Sequence, residues 1–446
     1  MPKVDVDINV ASREEIEGLL ADFGLVQAPA VTAVDDPLSP LSMLPLQPAT
    51  GGQDPAGVTT AVAPDADMPL SPTSMLPLQP ALVARQDTLK EFRKCYGGFS
   101  GSNYACTLSS GKRLLLKCTN DQPKADVEAQ VGALLFLKLA PTAPSTCYPW
   151  PLAGKQPRSA NASDYVSMRT GSPSIVLDFL AGAPADKVLQ AGGAPIVQAL
   201  FAGAGAALAK LHNVPLPGDA ELAAVGMRDA GGPGRYPGRD PAAACFVGRQ
   251  QEFVGEFAAD ARLTGHPFPP LHAAQVPELV ETMQADVPRG FLHGDPFLDN
   301  LLAEEGTGDV VGWIDWEDVA VGPLLFDVGC AIIGCCYRSM EGEDNQLDMT
   351  RLTAFLNAYN AVRPLSATER ELLLPFMRLA LLCNATWRFR NFNVVHAGPE
   401  TAGARDSYKE LADRIEALLD APGNVVVAAV QSLVAGLDAG GSQRPL

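Results

Sequence analysis

Basic residues are scarce in this chain. Lys and Arg number 33 against 51 Asp and Glu, leaving a net charge of −18 over 446 residues. Such a surface repels nucleic acid and anionic membrane, so neither is expected as a partner. No uninterrupted apolar run approaches the length that crosses a bilayer. The opening MPKVDVDINVASREEIEG is acidic and has neither an apolar signal core nor Arg-rich transit character. The nine cysteines lack metal-site spacing, and Cys335 and Cys336 are adjacent. An odd, unpatterned set reads as reduced thiols, and the expected compartment is the cytoplasm. Hydrophobic residues make up 47 % of the chain, ample material for packed cores.

The most informative stretch runs from Phe291 to Asp327. His293-Gly294-Asp295 opens it, Asn300 follows five residues after Asp295, and the isolated acid Asp315 follows fifteen residues later. Apolar Leu301-Leu302, a Gly-containing turn at Glu305–Gly308 and apolar Val310–Ile314 predict a loop feeding a β-hairpin. Phosphoryl transfer from ATP needs this set of groups: an Asp to orient the attacking hydroxyl, and an Asn and a second Asp to hold Mg²⁺. Asp295 is therefore the candidate catalytic residue, and Asn300 and Asp315 are the candidate metal ligands.

HGDPFLDN followed by IDWEDVAVGPLLFDVG resembles the catalytic and metal loops of the aminoglycoside phosphotransferase and choline kinase superfamily, relatives of protein kinases. The resemblance implies an α+β, protein-kinase-like fold of two lobes, with a small antiparallel-sheet N-lobe and a mainly helical C-lobe. It further implies ATP and Mg²⁺ as cofactors, and Asp327 as a buried acid supporting the loop. Within the superfamily the chain is most similar to homoserine kinases of this fold. The segments carrying that likeness are VDINVASREEIEGLLADFGL, GFSGSNYACTLSSGKRLLLKC and RLTAFLNAYNAVRPLSATERELLLPFMRLALL.

Taken in order, residues 1–25 predict a short strand at 4–10 and a helix with a Ser12/Glu15 capping box, packing on the N-lobe. Residues 26–85 predict a disordered proline-rich insert, in which PLSPLSMLPLQPA at 37–49 returns at 69–81 with Thr73 in place of Leu41. Its PxxP spacing offers weak partner docking. Residues 86–180 predict the N-lobe: a strand, a small-residue loop, a strand, a turn and a strand, then a helix over 124–139. In the loop, Gly98, Ser100, Gly101 and Ser102 are candidates to let backbone N–H groups approach phosphates. Lys117 ends an apolar strand, as the phosphate-holding lysine of kinases does, and Glu128 is its candidate helix partner. By resemblance, Phe179 and Leu180 lie at the hinge that pairs with adenine.

Residues 181–446 predict the helical C-lobe. The spacing gives helices over 195–212, 246–262 and 274–286, with further ones after Asp327, and His212 reads as a packed, hydrogen-bonded histidine. Two departures bear on the acceptor. Pro296 follows the base where the superfamily usually has Leu, and Trp316-Glu317-Asp318 follows the metal Asp. Glu317 and Asp318 add negative charge that suits an amine-bearing acceptor, and Trp316 either offers a cation–π face or simply packs. A carboxylate on the acceptor would need a cation such as Arg388 or Arg390. The expected acceptor is a small-molecule hydroxyl, of homoserine or a similar amino alcohol. The alternatives are a choline/ethanolamine- or aminoglycoside-type kinase and a pseudokinase scaffold.

Overall fold

The computed structural model describes residues 11–26, 87–95, 101–119, 122–139, 162–218, 249–338, 344–419 and 423–437. The expected strand at 4–10, the insert beyond Val26, and Gly98 and Ser100 lie outside these residues.

Helix α1 (Arg13–Asp22) starts at the predicted capping box: Ser12 Oγ accepts from Glu15 N, and the Glu15 carboxylate accepts from Ser12 N. Its apolar stripe, Ile16, Leu19, Leu20 and Phe23, is buried. The surface it covers is one face of a four-stranded antiparallel sheet made of β1 (Leu89–Cys95), β2 (Gly101–Leu108), β3 (Arg113–Thr119) and β4 (Ser174–Asp178), in that spatial order. Because side chains alternate along a strand, Tyr104, Cys106, Leu108, Leu114, Leu116, Cys118 and Val176 join α1 in one apolar cluster. Ile175 and Leu177 point the other way, into a larger core shared with α2 (Lys124–Leu139). Asp22 ties α1 to the loop before β4 through Arg169 and Ser167. Where the insert leaves and rejoins the chain, Val26 and Asp87 form a single parallel bridge.

Beyond the sheet the chain is mainly helical. Strand β5 (Ala183–Pro184) is followed at once by α3 (Ala185–Ala191), a helix the spacing did not predict. Helix α4 (Ala194–His212) buries Leu200, Phe201, Ala204, Leu208 and Leu211 in the core, packed along the Met349–Val362 helix. Among the described helices α4 alone has the length and apolar composition to cross a membrane. At Gly205 an added Cβ would meet the Phe355 carbonyl oxygen at 2.2 Å, so the two helices touch backbone to backbone there. The expected helices over 246–262 and 274–286 are found at Gln250–Ala259 and Phe268–Met283. Those after Asp327 are Leu324–Cys335, Met349–Val362, Ala367–Arg390, Lys409–Ala417 and Val425–Gly436.

Two small antiparallel ladders sit against the helices. One pairs β6 (Arg289–Leu292) with β9 (Ala320–Pro323). The other has the order β5, β7 (Leu301–Ala303), β8 (Val310–Trp313), so the predicted hairpin is present. The segments between these ladders carry the residues singled out in the sequence.

Candidate active site

The loop after β6 is pinned from below. Asp327, at the start of the Leu324–Cys335 helix and fully buried, accepts from the backbone N–H groups of His293 (2.8 Å) and Gly294 (2.9 Å). Gly294 has φ +88°, and a Cβ there would meet the Asp318 carbonyl oxygen at 2.3 Å, so the turn accepts only glycine. His293 Nε2 lies 2.9 Å from the Ile314 carbonyl, which can only accept, so that nitrogen carries the proton. Its Nδ1 then accepts from the Asp295 backbone N–H at 3.3 Å. Burial holds the His293 pKa below its ordinary value, in keeping with this neutral tautomer.

Asp295 follows at the mouth. Asn300 Nδ2 donates to its carboxylate Oδ2 at 2.8 Å and to its carbonyl at 3.0 Å, which orients the side chain. The β7–β8 ladder brings Asp315 close by: Leu301 pairs with Trp313, and Ile314 N donates to the Asn300 carbonyl at 2.8 Å. Asn300 and Asp315 therefore flank one end of the same hairpin. Asp315 adopts the left-handed conformation (φ 63°, ψ 67°), uncommon for a non-glycine residue and found mostly where function or packing demands it.

Burial raises the Asp295 pKa well above the usual carboxylate range, and the charges of Asp318, Asp299, Asp315 and Glu317 raise it further. Burial also lifts Asp315, to about 6, although Lys117 beside it pulls the other way. Among the described residues no three His, Cys, Asp or Glu side chains form a ready-made metal cage. Mg²⁺ does not need one, since it is commonly held by one or two carboxylates together with substrate phosphates. The Asn300 amide and the Asp315 carboxylate fit that donor chemistry, and the crowded acids around them favour a cation.

Lys117 reaches the site from the sheet. Its Nζ lies 2.5 Å from Asp315 Oδ1 and 3.3 Å from Glu317 Oε2. Burial disfavours its charge, but the two carboxylates outweigh burial and hold its pKa above the ordinary value. The expected pair with Glu128 is not formed. Glu128 sits one turn into α2 and instead binds Lys124 (2.9 Å, one helical turn away) and the Ser163 hydroxyl.

Several other expected site residues play different parts in this structure. Ser102 pairs across the ladder with Cys118 and so faces α1, away from Lys117. At Gly101 a Cβ would meet the Cys118 carbonyl at 2.1 Å, so close strand approach already demands glycine there. Trp316 is fully buried: its Nε1 donates to the Trp313 carbonyl at 3.1 Å, and its ring centroid lies 4.6 Å from that of His293. A packed indole of this kind offers no cation–π face to an acceptor. Glu317 accepts from Lys117 and from Gln122 Nε2 (2.6 Å), on the sheet side of the site. Asp318 is half-buried and adds charge against Asp295. Phe179 follows β4 with the Arg113 guanidinium 3.8 Å from its ring centroid, and Leu180 beside it is half-buried.

Arg388, near the end of the Ala367–Arg390 helix, is buried. Its Nη1 donates to the Ser407 carbonyl at 3.0 Å and lies 3.5 Å from Glu410. Its Nε is buried without a hydrogen-bond partner among the described residues. Burial lowers its pKa, while the charges of Glu410, Asp295 and Asp299 pull it back up. Arg390 is engaged elsewhere, by Glu256 at 2.9 Å.

The sequence reading missed Asn103. It pairs directly with Lys117 across β2 and β3, so both side chains lie on one face of the sheet. Asn103 Oδ1 is buried without a hydrogen-bond partner among the described residues. The strand alternation that puts Tyr104 on the α1 face was the available signal.

A family model described as the phosphotransferase enzyme family (APH) matches residues 91–365, more than half of the chain, and the chain belongs to that family. Its fold is α+β, a four-stranded antiparallel sheet followed by a mainly helical region. Curated relatives include the homoserine kinase of Polaromonas naphthalenivorans (strain CJ2), 38 % identical over 92 residues, which are 21 % of this chain and 28 % of that protein. The homoserine kinase of Granulibacter bethesdensis is 26 % identical over 345 residues, 75 % of this chain and 91 % of its own length. The chain thus spans under a third of the first relative and nearly all of the second. Among solved structures, a choline/ethanolamine kinase family protein from Mesorhizobium loti aligns with a TM-score of 0.49 at 14 % identity, over 77 % of this chain and 92 % of that one.

Proposed function

We propose that this chain is an ATP- and Mg²⁺-dependent small-molecule kinase that moves the γ-phosphate of ATP onto the hydroxyl of an amino acid, with homoserine the leading candidate. The observation that carries this reading is the linkage of Lys117 to Asp315, of Asn300 to Asp295 and of Ile314 to Asn300, which gathers residues from a sheet strand and two loops into one acidic cluster. Lys117 and Asn103 take the nucleotide's phosphates from the sheet side. Asn300 and Asp315 hold Mg²⁺, which when bound neutralises the phosphate charge that builds up during transfer. Asp295, oriented by the Asn300 amide, accepts a hydrogen bond from the acceptor hydroxyl and takes its proton. Its elevated pKa suits a group that must receive a proton near neutrality.

Arg388 favours an acceptor with a carboxylate over choline or an aminoglycoside. A buried guanidinium with an N–H that no described residue accepts from supplies the charge and the donor a carboxylate would pair with. The acids Asp299 and Asp318 suit the ammonium group of the same molecule. The homoserine kinases among the relatives support this choice of acceptor.

The test is ADP release with MgATP and a panel of L-homoserine, L-serine, ethanolamine, choline and kanamycin. The expected result is turnover with L-homoserine, and Asp295→Ala lowering kcat by about 10²–10⁴-fold while ATP still binds. A chain that binds no ATP at millimolar Mg²⁺ and nucleotide is a scaffold and not a kinase.

A further inference from the structure

Asp327 does not stand alone beneath the catalytic loop. The His212 ring, at the end of α4, places Nε2 3.1 Å from Asp327 Oδ2 and Nδ1 2.7 Å from the Tyr359 hydroxyl. Arg363 Nη1 in turn donates to the Tyr359 oxygen at 3.2 Å, and its Nη2 lies 2.8 Å from Glu369 Oε1. Glu369 is fixed by the capping box at the start of the Ala367–Arg390 helix. His212, Asp327, Tyr359 and Glu369 are all buried.

The hydrogen positions in this chain follow from which atoms can accept. Asp327 only accepts, so His212 Nε2 carries its proton. The bare Nδ1 must then accept from the Tyr359 O–H, and the Tyr359 oxygen is left to accept from Arg363. Burial holds the His212 pKa below its ordinary value. The charged and titratable groups around the ring are Asp327 from the Leu324–Cys335 helix, Tyr359 and Arg363 from the helix that packs along α4, and Glu369 beyond it.

The geometry points to Tyr359 as a positioning residue for phosphoryl transfer: its hydroxyl, donating to His212 Nδ1, fixes the imidazole in the orientation that aims Nε2–H at Asp327, the carboxylate that holds the His293 and Gly294 N–H groups and so sets Asp295. This inference rests on the kinase reading above. Without the hydroxyl, Nδ1 is left buried with no donor, and the ring is no longer held in place toward Asp327.

The test compares full-length wild type with Tyr359→Phe. In long-range ¹⁵N imidazole spectra the wild-type His212 should show Nε2 protonated and Nδ1 shifted by an accepted hydrogen bond, whereas in Tyr359→Phe the Nδ1 resonance should move to that of an unbonded ring nitrogen. Amide exchange at Gly294 should quicken about tenfold in the variant, with that of Leu116 in the sheet unchanged. With MgATP and L-homoserine, kcat should fall about tenfold while the affinity for MgATP stays within twofold. An unchanged His212 signal, or exchange that quickens equally at Gly294 and Leu116, overturns the proposal. Wild type inactive on every acceptor would sink the kinase reading and leave the spectral and exchange measurements to decide this one. If Tyr359→Phe does not fold, Arg363→Gln keeps the hydroxyl but removes its support. It should quicken exchange at Gly294 in the same local way, and no effect there overturns the proposal equally.

Discussion

Lys117 Nζ lies 2.5 Å from Asp315 Oδ1, joining β3 to the turn after β8 across 198 residues of chain. Glu317 completes the group at 3.3 Å, and Gln122 holds Glu317 from the other side. The sheet and the hairpin are thus tied by one ammonium shared between two acids.

Removing that ammonium leaves two carboxylates facing each other with no cation. Lys117→Met should therefore destabilise the protein by roughly 2 kcal/mol, below the usual cost of breaking a buried pair because the Asp315 side chain keeps 28 % exposure. Adding Glu317→Gln should return part of that loss, since it removes one of the opposed charges. Thermal unfolding of the two single variants and the double variant checks this. A double variant less stable than Lys117→Met would contradict the argument. Lys117→Met should also weaken ATP binding more than AMP binding, and Asn103→Ala should do the same to a smaller degree.

Asp295 gives a prediction of opposite sign for stability and activity. Its folded-state pKa is raised by burial and by neighbouring acids, so the folded protein holds this proton more tightly than the unfolded chain does. The ionised carboxylate therefore costs stability, and the cost grows as pH rises from about 4 through the elevated folded pKa. Asp295→Asn removes the charge and can keep the contact with Asn300. It should raise Tm by about 2–4 °C at pH 8, with the gain vanishing toward pH 4, while turnover is lost. Calorimetry at the two pH values tests the sign. A lower Tm at pH 8 would mean that the carboxylate is stabilised by something other than its loop.

How much of this was readable beforehand depends on the range over which each residue acts. Asp295, Asn300 and Asp315 lie within twenty-odd residues of one another, and a short hairpin brings them together whatever the rest of the chain does. The α1 capping box is equally local, and both were legible. Glu128 was not, because its partner is chosen by how α2 docks: Lys124 and Ser163 lie closer than Lys117. Ser102 and Asn103 differ by one position, and which of them joins Lys117 is a matter of strand phase, where a shift of one residue exchanges the faces. Charge and ring type alone leave Trp316 open between acceptor contact and packing, and suggest Glu317 as an acceptor contact. Their direction is set by the 3₁₀ turn at Trp316–Asp318, which turns the indole inward and the glutamate toward Lys117.

Gly334 is a further position where packing on the catalytic loop forbids a side chain. An added Cβ would fall 1.8 Å from Phe297 Cδ1, two residues past Asp295. Its neighbour Cys335 donates its thiol to the Pro296 carbonyl at 3.3 Å, so the Leu324–Cys335 helix holds the loop on both sides of that peptide. Gly334→Ala must push the Phe297 ring and should cost about 1–3 kcal/mol. Because the ring and Asp295 share one short turn, kcat should fall more than the affinity for MgATP. Steady-state kinetics beside nucleotide titration separates the two, and a variant that loses affinity alone would exclude a loop effect.

The bridge between Val26 and Asp87 brings the two ends of the proline-rich segment to adjacent positions. Loop closure depends only weakly on loop length, so the residues between them can be exchanged for a short connection at little cost. Replacing 28–85 with about six Gly and Ser residues, enough to turn between parallel neighbours, should leave Tm within a few degrees and kcat within twofold. α1 keeps its contacts in such a protein through Ile16, Leu19 and Leu20. A collapse of the four-stranded sheet, seen as a large drop in Tm, would show that these residues are part of the fold.

Arg388 separates the classes of acceptor. Its Nη1 is committed to the Ser407 carbonyl, while its Nε has no hydrogen-bond partner among the described residues. If the acceptor's carboxylate binds there, Arg388→Lys keeps the charge but loses the fixed fork, and KM for L-homoserine should rise about tenfold or more. Activity on 3-aminopropan-1-ol, which has the amine and the hydroxyl but no carboxylate, should not change by more than about twofold, because that molecule never made the contact. The KM for MgATP should stay where it is. A variant that loses both acceptors equally would mean that Arg388 serves the packing of the Ala367–Arg390 helix against Ser407 and Glu410, and the acceptor carboxylate would have to be sought elsewhere in the cleft.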